Sequence, residues 1–402
     1  MINVPSKECQ TPTRLRRAGI VTGLIIGAAL LPRGARAQSF SSGSTGADGA
    51  LDFSGAPSGS VIDFRPDMVT PALDPERDNV YHFTTITIPA GVTVRLTARY
   101  LSGPVYWLAS GDVQIAGILD LNGQSGQVDR VPSLPGAGGF PGGIVGGGDP
   151  NSPPPQRGSG PGGGQKFHCY NCSFSGDPRG SFTGNVFLVP LIGGSGGGGG
   201  DGGNGGAGGG ALLIASSSTI NITGTIRANG GAPTVDGGGA SGGAVRLAAV
   251  KISGGGTLQA LGANGAGNGR IRLEAFQQLF TGGTNPAALL RTPYKTFVPS
   301  GPPPSVRVVT VGGVPVASTP LGTFDLPDVT ISTLATTPIV IETHSIPPGT
   351  VVNLHLSSQD GSDVQIDTTP LVGTTAQATA SAGLAIPTGF SRIFVRATWT
   401  NQ

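Results

Sequence analysis

An all-β chain is predicted by three features of the 402-residue sequence: short runs of alternating apolar and polar residues, a recurring unit of 32 to 33 residues, and glycines at matching places within each unit. The alternation is clearest at residues 85–88 (TITI), 92–96 (VTVRL), 350–356 (TVVNLHL) and 392–396 (RIFVR), punctuated by Gly, Pro, Asn and Asp. No stretch of 12 or more residues carries a convincing 3.6-residue period. The architecture expected is a parallel β-helix with a Gly-rich loop insertion, followed by a small Ig-like or fibronectin-like β-sandwich.

The β-helix rests on three copies of one pattern, residues 105–123 (VYWLASGDVQIAGILDLNG), 211–230 (ALLIASSSTINITGTIRANG) and 244–262 (AVRLAAVKISGGGTLQALG), with a partial fourth at 270–275 (RIRLEA). Each reads strand, turn, strand, Gly-containing turn, strand. Such units bury their apolar face only by stacking. Aligned, they place Tyr106, Leu212, Val245 and Ile271 in one apolar column and Leu108, Ile214, Leu247 and Leu273 in another. Between these, an outward column holds Trp107, Leu213, Arg246 and Arg272, and a second outward line holds Asp120, Arg227 and Gln259. Gly117, Gly224 and Gly256 share a further column, expected at corners too sharp for a side chain.

The N-terminus reads as a secretory signal. Lys7, Arg14, Arg16 and Arg17 precede an uncharged apolar run at 18–31, and Ala35-x-Ala37 closes it, so cleavage is expected after Ala37. An uncleaved anchor is the alternative, but the run is short and Gly-rich for a membrane span. Six of the 24 basic and one of the 22 acidic residues lie in 1–37, leaving 18 against 21 and a net charge of −3. A near-neutral mature chain without a Lys/Arg cluster argues against a nucleic-acid partner. No later stretch is apolar and long enough to span a bilayer, and no C-terminal anchor is legible. The expected location is secreted, periplasmic or cell-surface.

Domain boundaries follow composition. Residues 38–292 form the β-helix domain, with an N-terminal cap over about 38–103 and a Gly/Pro-rich insertion at 124–210. Within the insertion, 14 of the 18 residues at 193–210 are Gly. Ordering them costs up to about 1 kcal/mol each relative to Ala, so a partly ordered loop is expected, with glycine-ladder packing as the alternative. Residues 293–304 are a Pro-rich linker. Residues 305–402 form the sandwich, with strands expected at VRVVTV, DVTI, IVIETH, VVNLHL, DVQID, AQATAS and RIFVRATW; additional solenoid coils are the alternative.

The phrases IPAGVTV, PVYWLASGDVQIAGILDLNG, PLIGGSGGGGGDGGNGGAGGGALLIASS, GTIRANGG, GGAVRLAA and GNGRIRLEA, in this order, resemble a group of Gly-rich secreted bacterial proteins with no assigned activity. The resemblance covers most of residues 40–275. It implies a right-handed parallel β-helix, an extracytoplasmic location and a C-terminal sandwich companion, and it supplies no catalytic residue.

Chemistry-bearing residues are sparse. Cys169 and Cys172, in HCYNCS, are read first as a local disulfide in an oxidising compartment; a redox pair lacks its helix, and zinc would want a fourth ligand beyond His168 and the two thiols. Gly-rich sequence also produces chance motifs. GGSGG around Ser195 lacks the strand and helix of a nucleophile elbow, the G-x-G-x-x-G matches lack a following helix, and the lone GGxGxD ending at Asp201 lacks tandem copies. His82, His344 and His355 sit alone in strand-like runs.

Three functions are weighed. The leading one is a non-enzymatic extracytoplasmic structural or surface-interaction protein, with no catalytic residues, metal or cofactor. A polysaccharide lyase or hydrolase would need paired carboxylates, drawn here from Asp129, Asp149, Asp177, Asp201 and Asp236. A glycan-binding module would use Trp107, Arg227, Arg246 and Arg272 as a stripe for an extracellular acidic glycan, against a solvated face in which Asp120 pairs Arg227.

Overall fold

The computed structural model describes residues 38–69, 73–74, 78–101, 103–128, 131–146, 155–167, 176–296, 298, 304–317, 320, 327–332, 335–358 and 364–399; the expectations for residues 1–37 lie outside these. The described chain is all-β, with a single 3-10 turn at Pro66–Met68.

Fifteen strands make two parallel sheets: β1 (Leu51–Asp52), β2 (Val61–Asp63), β3 (Val80–Phe83), β4 (Ile86–Ile88), β5 (Thr93–Arg95), β6 (Val105–Ala109), β7 (Val113–Ile115), β8 (Ile118–Asp120), β9 (Ala211–Ile222), β10 (Thr225–Arg227), β11 (Ala244–Gly254), β12 (Thr257–Gln259), β13 (Arg270–Phe280), β14 (Gly283–Asn285) and β15 (Leu289–Arg291). The first sheet runs β1-β4-β7-β9-β11-β13-β15, with β3 and β6 joining along β9. The second runs β2-β5-β8-β10-β12-β14. Alternating residues of both point into one core that holds Val94, Leu119, Ile226 and Leu258 from one side and Ile214, Leu247 and Leu273 from the other.

The register agrees with the repeat for the later copies and corrects it for the first. Leu212, Val245 and Ile271 share a column, but its partner on β6 is Val105 rather than Tyr106. Trp107 therefore joins the inward column of Ile214, Leu247 and Leu273, fully buried, and Tyr106 takes the outward place beside Leu213, Arg246 and Arg272. Burying the indole, the largest apolar surface on β6, decides the register. Its ring meets Phe64 and Phe83 edge-on, with centroids 5.3 and 6.2 Å away. The glycine column extends to Gly282: a Cβ on Gly224 would lie 2.0 Å from the Gly117 carbonyl oxygen, and one on Gly282 2.0 Å from that of Gly256.

Among the described residues, the insertion is packed as the alternative expectation had it rather than as a partly ordered loop. Residues 193–200 form an extended segment in which every N–H donates a hydrogen bond. The partners repeat every third residue. Gly194, Gly197 and Gly200 donate to Gly209, Gly206 and Gly203, while Phe140, Gly143 and Gly146 donate to Gly194, Gly197 and Gly200. Gly196 and Gly199 donate to Ser159 and Gln156, and accept from Gly164 and Phe167. Ser195 and Gly198 accept from Ser241 and Gly238, and Gly198 donates to Pro178. A three-residue period with no bonds inside the segment is polyproline II geometry, and here six neighbouring segments surround one. The side-chain positions are filled by backbone: a Cβ on Gly197 would stand 2.0 Å from the Gly238 carbonyl oxygen, and one on Gly198 1.8 Å from that of Gln165. The hydrogen bonds supply the regular use that offsets the entropy of ordering so much glycine.

Beyond residue 304 the sheets are antiparallel. β16 (Ser305–Val311), β17 (Val314–Pro315), β18 (Thr336–His344), β21 (Val372–Gly373) and β22 (Ala378–Ala385) form one sheet in the order β17-β16-β18-β22-β21; β19 (Val352–Ser358), β20 (Val364–Asp367) and β23 (Ser391–Ala397) form a second, ordered β20-β19-β23. Ile339, Ile341, Leu354 and Leu356 sit in their shared core. The run DVTI, expected as a strand, carries none: residues 328–331 lie in the connection between β17 and β18.

Candidate functional site

The column that carries Arg246 and Arg272 is outward-facing but does not reach water. Ala211, Ala215, Ala244 and Ala248 leave a shallow apolar bed on the outer face of β9 and β11, on which Leu188 and Leu191 of the insertion and Phe40 pack. Arg246 is 4 % and Arg272 9 % exposed, so the open stripe expected from the sequence is a covered face. Both guanidinium groups converge on Glu274, two residues beyond Arg272 on β13. Arg246 Nε donates to Glu274 Oε1 at 2.9 Å and its Nη2 to Oε2 at 3.3 Å, and Arg272 Nε donates to the same Oε1. Glu274 is 2 % exposed. This deeply buried carboxylate is paired by guanidinium groups from two strands.

The cluster also fastens the insertion. Arg272 Nη1 donates to the Val186 carbonyl at 3.3 Å and its guanidinium lies 5.7 Å from the Phe187 ring, while Arg270 Nε donates to the Gly184 carbonyl at 3.0 Å. Two arginines thus hold one loop against the sheet, and Arg246 reaches them through the shared Glu274. Glu274 was the residue missed from sequence. It stands in RIRLEA, where strict alternation with Arg270 and Arg272 was the available signal.

The second outward line is solvent-facing and as expected. Asp120, Arg227 and Gln259 are in register, and the column continues to Asp63, Arg95 and Asn285. Arg95 pairs with Asp63 at 2.8 Å, and Arg227 pairs with Asp120 at 2.9 Å. Asn229 Nδ2 donates to Gln259 Oε1, so the face is a ladder of charge and amide. Trp107, buried in the core, takes no part in either line.

The remaining residues scatter. Cys169, Cys172, Asp129 and Asp149 lie outside the described residues. Asp177 forks onto Arg179, whose hydrogen bonds hold its carboxyl below the ordinary range, whereas Asp201 and Asp236 stand on two turns that touch, with the Asp236 carboxyl beside Gly202. Ser195 is fully buried with its hydroxyl accepting the Gly162 N–H at 3.0 Å, a packing role in the glycine bundle.

Asp74 is a different acid. Burial, and behind it the Asp78 carboxyl in hydrogen-bond contact, push it up to about 6, against N–H donations from Asp78 and Asn79 at 2.9 Å. The folded value exceeds the ordinary 3.8, so the folded chain holds this proton more tightly than the unfolded one. The stability contributed by this group is present below that ordinary value and is lost as pH rises through about 6. Asp74→Asn is therefore expected to gain melting temperature relative to the native chain at pH 7 and to lose that advantage by pH 4; parallel melting curves across this range would show Asp74 titrating normally.

No family model matches the chain, and neither a curated protein sequence nor a solved structure matches it.

Proposed function

We propose that this is a non-enzymatic extracytoplasmic protein that works as a rigid structural or surface-interaction scaffold. In this reading the two parallel sheets are faces of a right-handed parallel β-helix, the glycine bundle is a stiff side-extension of its coils, and the antiparallel unit is an Ig-like sandwich for spacing or attachment. The observation that carries it is the construction of residues 193–200: every N–H is bonded to a neighbouring segment, with no room for a side chain at most positions. Such packing holds the turns at 200–203, 234–237 and 263–266 at fixed places, which suits display and contact rather than turnover. The signal-like N-terminus supports export.

The test is expression from the native leader with surface labelling and N-terminal sequencing. The expected outcome is an exported chain beginning at Gln38 that turns over no polysaccharide. Turnover abolished by a point change on the outer faces would overturn the reading. Glycan-array binding lost in Arg227→Ala would move it to a glycan-binding module using the charge and amide ladder.

A further inference from the structure

We propose that the free edge of β23 is an acceptor for an extended segment of a partner protein, one whose residues alternate between apolar and acidic, added as a further strand of the β20-β19-β23 sheet. This goes beyond the scaffold reading and does not depend on it.

Two independent features of the antiparallel unit point to a strand. The first is the edge itself. β23 pairs with β19 on one side, and residues 393–397 form no backbone hydrogen bond on the other among the described residues. An unpaired row of N–H and C=O groups is a template for strand addition. The second is the core beneath it. Ile339, Ile341, Leu354 and Leu356 are fully buried, yet Ile393, Val395, Ala397 and Trp399 on the β23 side and Val306 and Val308 on the β16 side are only partly so. β16 and β23 are the elements that meet across the two sheets there, so the partly buried apolar side chains line one seam. A strand laid along β23 would turn every second residue into that seam and complete the core.

The outward positions of β23 set the other half of the occupant's chemistry. Arg396 is exposed, opposite Asn353, with no acidic partner among the described residues. Arg392 lies over the Phe394 ring at 5.2 Å, leans to Gln156 Oε1 at 3.5 Å and already has the Asp328 carboxylate nearby, so Arg396 is the outward cation that asks for an acid. Directly opposed strand residues prefer opposite charge, so the residues facing out beside this edge are expected to be acidic.

The experiment uses the full mature chain and three fluorescent synthetic peptides: alternating valine and glutamate, the same sequence with N-methylated backbone amides, and alternating valine and lysine. Saturable anisotropy is expected for the glutamate peptide, weakened about tenfold or more by N-methylation and by Arg396→Glu, with the lysine peptide gaining on that variant. Arg396 is exposed, so the variant's melting temperature serves as the folding control. No saturable binding, or binding indifferent to both changes, overturns the proposal. So does a concentration-dependent dimer in sedimentation that Arg396→Glu dissolves, which would give the edge to a second copy of this chain.

Discussion

Gly197→Ala is expected to cost about 3 kcal/mol or more of unfolding free energy, a loss usually reserved for large core truncations. The added methyl would sit 2.0 Å from the Gly238 carbonyl oxygen and 2.5 Å from its carbon, and neither can move alone. That carbonyl accepts the Gly206 N–H, while the Gly238 N–H donates to the Gly198 carbonyl, so a shift at one contact breaks a bond to the 203–209 segment and another to the substituted segment itself. Elsewhere the same substitution is harmless. A Cβ on Gly55 meets nothing within 4 Å, and restricting the unfolded chain there should leave stability within about 0.5 kcal/mol of the native value. Urea unfolding of the two variants, with amide exchange read at residues 193–210, checks the contrast. Equal behaviour would mean that the bundle yields as a loop would.

The bundle was also the least legible part of the chain, for a physical reason. Sequence patterns report period through side chains, and a glycine run has none to report. The signal was in the exceptions: between 193 and 210 the non-glycine residues are Ser195, Asp201, Asn204 and Ala207, all separated by multiples of three. By contrast, the second parallel sheet could be read residue by residue, because Asp120, Arg227 and Gln259 mark the outside and Gly117, Gly224 and Gly256 mark the corner. The register of β6 slipped by one because VYWLA is apolar on both faces, one packed on the core and the other under the insertion. Nothing in the repeat records what Leu188 and Leu191 cover. The arginine column was therefore placed on the correct face but assigned to water.

Glu274→Ala should be the second large loss, about 3–5 kcal/mol, because it leaves Arg246 and Arg272 buried without their carboxylate. The cost belongs to the stranded cations more than to the lost attraction, and that distinction is measurable. Replacing all three residues with apolar side chains of similar volume, Arg246→Met, Arg272→Met and Glu274→Leu, removes the desolvation penalty with the attraction and should recover most of the loss. Recovery should be incomplete where Arg272 does more than pair, since its bond to the Val186 carbonyl and its contact with Phe187 hold the insertion on the sheet. The triple variant is thus expected to unfold near the native midpoint while residues 184–187 become open to proteolysis. If the triple variant falls as far as Glu274→Ala, the ion cluster is itself a net source of stability, and the apolar bed of Ala244 and Ala248 is too shallow to hold the insertion without it.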